Sequence, residues 1–172
     1  MAESDAEWNL RQRQETELQR LDRIYVELLQ ELRVAQTGPQ ILFAFLLTLA
    51  FTQRFGAVTA YQRGIYFTTL LLVAVAVSLL IAPVSVHRLL FRRHEKDRLV
   101  AVTNRLAIGG LLSLCLAIVG VLWFITDVLY GHRPGLAVAL LSACWFGFFW
   151  YALPLRWLTR GQRQPRASRR AP

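Results

Sequence analysis

The sequence offers little to catalytic chemistry. It has no Gly-rich phosphate loop, no Ser/His/Asp or Cys/His grouping and no cluster with metal-ligand spacing. Its two cysteines, Cys115 and Cys144, sit alone in apolar runs with no other soft ligand nearby, so they read as small apolar packing residues rather than a redox or metal pair. His87 and His94 are seven apart beside Glu95 and Asp97, a spacing that fits a solvated helix face better than a metal site. Acid is scarce: eleven Asp or Glu stand against twenty Lys or Arg. After Asp97 only one acid remains, Asp127. A basic start leading directly into a short apolar run is also missing. A secretory signal is therefore not expected, and residues 1–37 should stay in the mature chain. No cofactor, no metal and no enzymatic activity are expected.

Apolar residues dominate instead. They make up 55% of 172 residues and come in long blocks, which points to an integral membrane protein. Four blocks fit spans at about 39–55, 65–86, 106–130 and 136–155. The first is short: seventeen residues rise about 25 Å against a hydrocarbon core of about 30 Å. A re-entrant hairpin is the other option there. The net charge of +9 lies between and after these blocks, a placement that suits a membrane protein rather than a nucleic-acid reader. Lys plus Arg numbers five in 1–37, six in 87–105 and six in 156–172, leaving only Arg54, Arg63 and Arg133 for the opposite side. That bias predicts both termini in the cytoplasm. Tyr61, Tyr66, Trp123, Tyr130 and Trp157 at span ends agree. The tail 156–172 reads as basic and disordered beyond about residue 162.

The segment 1–37 is net acidic, with eight acids against five bases. Ser4-Asp5-Ala6-Glu7 has the spacing of a capping box. From there the apolar positions Leu18, Leu21, Tyr25, Leu28, Leu32 and Ala35 follow a 3-4-3-4-3 rhythm, one face of an amphipathic helix. This interaction face packs either on its own chain or on a second copy. Gly38-Pro39 follows. Proline lacks a backbone donor and disfavours helix at the residue before it, so a break or hinge is expected between this cytoplasmic helix and the first span. The segment 87–105 reads as a basic cytoplasmic loop. Its Arg88, Arg92, Arg93, Lys96 and Arg98 suit anionic lipid headgroups, or the acidic N-terminal helix. The fold class is thus all-α: a four-helix membrane bundle, 38–155, preceded by a cytoplasmic amphipathic helix.

Lipid removes the hydrophobic drive for helices to associate, so close packing must hold the spans together. Each span carries small residues four apart: Ala44, Thr48, Thr52; Ala74, Ser78, Ala82; Gly109, Ser113, Ala117; Ala139, Ala143, Gly147. These predict the helix-facing grooves. Pro83 and Pro154 precede similar basic flanks, a faint sign of a two-fold repeat.

The runs QELRVAQTGPQILFAFLLTLAFTQRF and IAPVSVHRLLFRRHEKDRLV, with the four-span layout, resemble a family of small uncharacterised actinobacterial membrane proteins. The resemblance spans roughly residues 18–155. Some members carry the automatic label sodium/proton antiporter, but no functional residues are known that could be carried over. Such exchange needs ionisable ligands inside the bilayer. Asp127 is the one transport candidate. It lies about 30 Å along its helix from Leu106, near the outer interface and close to His132 and Arg133. Two functions follow as expectations. One is a non-enzymatic interaction or structural membrane protein, with membrane lipids and either a second copy or another membrane protein as partners, and no nucleic acid. The other is a small transporter or channel for monovalent cations, working as an oligomer.

Overall fold

The computed structural model describes residues 16–90 and 96–156. Thr16 opens the first helix, α1 (Glu17–Leu49). Its side chain accepts from the Gln19 amide at 3.4 Å, and the Gln19 side chain accepts from the Thr16 amide at 2.8 Å. This reciprocal capping box satisfies two donors that a helix start would otherwise orphan. The start expected at Ser4–Glu7 lies outside the described residues. After α1 comes a short 3-10 turn, Gln53–Ala57. Then follow α2 (Ala60–Leu90), α3 (Lys96–Tyr130) and α4 (His132–Gly147). Beyond α4 the chain continues as a π-helical turn, Phe148–Ala152. The described residues are thus all-α, with four helices long and apolar enough to cross a membrane: Asp22–Leu49, Ala60–Ser85, Val100–Tyr130 and His132–Arg156.

The helix passes through Gly38-Pro39 without the expected break. Proline inside a helix costs about 3 kcal/mol, so something must offset it. The buried positions of α1 are Tyr25, Leu32, Pro39 and Leu46, at an even seven-residue interval. The rhythm read in 18–35 therefore runs in phase through the proline, whose ring is itself one of the fully buried side chains. Packing along one continuous face overrides the local preference. The amphipathic segment and the first apolar run form one rod. Its 33 residues rise about 50 Å, longer than a hydrocarbon core of about 30 Å. Likewise 87–105 is mostly not a loop: α2 extends to Leu90 and α3 starts at Lys96. The gap left between the spans expected at 106–130 and 136–155 shrinks to one residue, Gly131, whose φ of 89° suits glycine.

Contacts divide the chain into two compact units. The first contains α1, α2 from Leu70 and α3 up to Leu114. At its centre Leu32, Leu80 and Ala107 pack together. A Cβ on Gly110 would lie 2.7 Å from Leu80 Cγ, so this close approach needs glycine. Two side chains of α1 also reach backbone carbonyls of α2. Gln36 Nε2 donates to Leu80 O at 2.6 Å, and Tyr25 OH donates to Pro83 O at 3.4 Å. Pro83 removes one donor from its own helix and crowds the preceding turn. The carbonyl that loses its helical donor is that of Leu79, one residue before the Leu80 carbonyl that Gln36 bonds, so α1 ties itself to the turn that the proline disturbs.

The second unit contains residues 57–69, α3 from Cys115 and α4. Tyr66 packs on Phe124 with ring centroids 5.7 Å apart. Thr69 lies directly against Gly120, where a Cβ has no room. The small residues that make close approaches are therefore Gly110, Gly120 and Gly135, along with buried Ala76, Ala107, Ala117 and Ala139. Of the grooves expected from four-residue spacing, Ala44, Thr48 and Thr52 are all exposed, as are Ser78 and Ala143. The buried seams follow the 3-4 alternation instead, for example Tyr66, Thr69, Val73, Ala76, Leu80 and Pro83 in α2. That alternation keeps one stripe of a 3.6-residue helix facing its neighbours, whereas steps of four drift around it.

Candidate functional site

Asp127 is the focus of the second unit. Its residue is 5% exposed, and both carboxylate oxygens are taken. Gln62 Nε2 donates to Oδ2 at 2.8 Å. His132 Nδ1 lies 3.2 Å from Oδ1. The three residues come from the last turn of α3, the first turn of α2 and the first turn of α4. Two helix N-termini, each with a partial positive charge, thus face one carboxylate. That offsets the unfavourable place of Asp127 near the negative C-terminal end of its own helix.

Each partner is held by local sequence. Thr59 caps α2: Gln62 N donates to Thr59 Oγ1 at 3.2 Å, and Thr59 N donates to Gln62 Oε1 at 3.0 Å. The capping box commits the carbonyl end of the Gln62 amide. Its NH2 end is therefore the one offered to Asp127. His132 is placed by the single-residue turn, in which Gly131 N donates to Asp127 O at 3.0 Å. One turn later Gly135 presses on Asp127: a Cβ there would lie 3.0 Å from Asp127 Cβ and 3.1 Å from its Cα and N. A side chain at 135 would fit only if the Asp127 backbone gave by a few tenths of an ångström. Tyr61 flanks the cluster, edge-on to His132 at 5.3 Å and to Trp123 at 6.3 Å between ring centroids. Trp123 Nε1 is buried without a hydrogen-bond partner.

The candidates singled out in the sequence fare differently. Asp127 lies in this cluster and is buried. Of its two expected neighbours it is His132, not Arg133, that touches it. Tyr25 and Leu32 are buried in the first unit, and Leu28 and Ala35 are half-buried beside them. The side chains of Leu18, Leu21, Arg88, Arg92, Arg93, Lys96 and Arg98 lie outside the described residues. So do the side chains of His87 and His94. Gly38 is exposed and Pro39 buried within α1. Cys115 is buried on α3, whereas Cys144 is exposed on α4. Among the described residues, no three His, Cys, Asp or Glu side chains converge as a metal site would need. Gln62 and Thr59 were not singled out. Their signal is the T-x-x-Q spacing of a capping box directly before an apolar run.

These features define a class: an all-α protein with four helices of membrane-crossing length and a buried, fully partnered carboxylate. Within that class, the chain belongs to a family of unknown function, DUF6328, which matches residues 14–154. No curated protein and no solved structure is significantly similar to it.

Proposed function

We propose that this is a non-enzymatic interaction or structural protein of a bacterial cell membrane, spanning it four times with both termini in the cytoplasm. The orientation draws on the seventeen basic residues in 1–37, 87–105 and 156–172. The observation that carries the reading is the state of Asp127. An exchanger's acid must trade ligands, whereas this one is wedged by Gly135 and has each oxygen engaged by a protein group. A carboxylate held in this way serves as a pin between helix ends. The apolar outer face of α4 leaves surface for lipid or for a membrane partner, since only Gly135 and Ala139 are buried along it. Long basic flanks at the cytoplasmic ends would meet anionic headgroups.

A second reading, transport of monovalent cations by an oligomer, draws on the contact between two titratable groups, Asp127 and His132. One experiment separates the two. Purified protein in liposomes under a sodium or proton gradient should give no flux above empty vesicles, and crosslinking in native membranes should recover a dimer or a heteromeric complex. Flux that is lost in Asp127→Asn, with only monomer crosslinked, would overturn the first reading and favour the second.

A further inference from the structure

We infer that Tyr25, Thr103 and Pro83 hold one ordered water molecule, which ties α1, α2 and α3 together inside the first unit. Thr103 carries the argument. Its side chain is fully buried, and its Oγ1 has no hydrogen-bond partner. A threonine inside a helix can bond a carbonyl of the preceding turn. Thr48 does so to Ala44 O at 3.0 Å, and Thr69 to Ile65 O at 2.8 Å. Thr103 does not, so its hydroxyl is directed elsewhere. The side chain it interacts with is Tyr25 of α1, though not at direct hydrogen-bond geometry.

Tyr25 OH in turn reaches Pro83 O at 3.4 Å, long beside the usual O–H···O separation of about 2.7–2.8 Å. Two oxygens that far apart can both lie about 2.8 Å from a third atom, at the apex of a triangle. A water at that apex accepts from the Tyr25 and Thr103 hydroxyls and donates to Pro83 O. About three hydrogen bonds is the ordinary complement of a buried water. Leaving a buried hydroxyl unpaired costs about 1–3 kcal/mol, whereas immobilising a bridging water costs about 0–2 kcal/mol, so the bridge is the better outcome. The chemistry of the donor set selects the ligand. Two hydroxyls and a carbonyl are neutral, and no carboxylate stands among them. A hard cation takes about six or more oxygen ligands, carboxylates prominent among them. Water is satisfied by the groups present.

The test is a crystal structure of the full-length protein at a resolution that shows ordered water, together with thermal unfolding of wild type and Thr103→Val in detergent. The crystal structure should show one oxygen at about 2.7–3.0 Å from each of Thr103 Oγ1, Tyr25 OH and Pro83 O. Valine keeps the shape of threonine and removes the hydroxyl. The variant should therefore melt about 2–4 °C below wild type, because the water loses a partner. A variant melting at or above wild type would mean that the Thr103 hydroxyl binds nothing, and would overturn the inference. A direct Thr103–Tyr25 hydrogen bond in the crystal structure would do the same. So would a rise in wild-type melting temperature when sodium replaces choline at equal ionic strength, if Thr103→Val abolishes it, since that marks a cation. Should Thr103→Val fail to fold, the oxygen seen or not seen in the wild-type crystal structure decides.

Discussion

Replacing Gln62 with Glu separates the two jobs of one amide. Glutamate can still accept from Thr59 N, since Glu and Gln serve equally at that position of a capping box. It cannot donate to Asp127. In its place a carboxylate oxygen would stand where Nε2 now lies, 2.8 Å from Asp127 Oδ2. Two unit charges at that distance repel by about 6 kcal/mol at an effective dielectric of 20. Gln62 is only half-buried, so rotation and screening reduce the figure, and uptake of one shared proton caps it. The expected loss is about 2–4 kcal/mol at pH 8, falling below about 1 kcal/mol at pH 5, because a protonated pair restores an O–H donor between the two groups. Gln62→Leu provides the contrast. It keeps the Thr59 Oγ1 cap on the residue-62 amide but loses the reciprocal bond from Thr59 N and a hydrogen bond to a charged group, the latter about 1.5–3 kcal/mol. Its deficit relative to wild type should not recover in acid. Unfolding of both variants in detergent across pH 5 to 8, each measured against wild type, reads this directly. Gln62→Glu matching wild type at pH 8 would mean that Gln62 does not hold Asp127.

Gly135→Ala should destabilise by about 1–3 kcal/mol through overpacking against the Asp127 backbone. Gly147→Ala, with nothing within 4 Å of the new methyl, should be neutral or stabilising by up to about 1 kcal/mol, and denaturant titration distinguishes the two. Gln36→Leu removes the 2.6 Å bond to Leu80 O next to the Pro83 turn. Interhelical hydrogen bonds in membranes contribute about 0.6 kcal/mol and at most about 1.7, so a loss in that range is expected, checked by the same titration.

The regular part of this fold was legible because helices bury one stripe. Leu18 to Ala35 declare a 3-4 rhythm, and the structure extends it through Pro39 to Leu46. What misled was the weight given to Gly38-Pro39. A proline reports a local cost, but whether the helix survives depends on partners far away in sequence, here the face shared with Leu80 and Ala107. The four-residue spacing of small residues misled for a related reason. Small side chains are common in apolar helices, and the close approaches fall only where a seam meets its neighbour, at Gly110, Gly120 and Gly135. Asp127 was legible as the last acid in the chain and His132 as its neighbour, five residues on. Gln62 was not, being 65 positions away. The capping box at Thr59–Gln62 could have placed the helix start, but no local pattern says that the spare end of that amide meets a carboxylate.

The π-helical turn at 148–152 has a consequence for how the chain leaves its last helix. Leu153 N bonds back five residues, to Phe148 O, so this turn holds one residue more than an α-helical turn would. Each residue of an α-helix advances about 100° and 1.5 Å. The extra one therefore re-aims residues 153–156 by more than a quarter of a circle. Pro154 and Arg156 emerge on a side that an unbroken α-helix would not give them, and the Arg156 guanidinium lies 5.9 Å from the Phe148 ring centre. The bulge acts as a phase adjuster: it lets one sequence period serve the packed part of α4 and gives residues 153–156 a different heading.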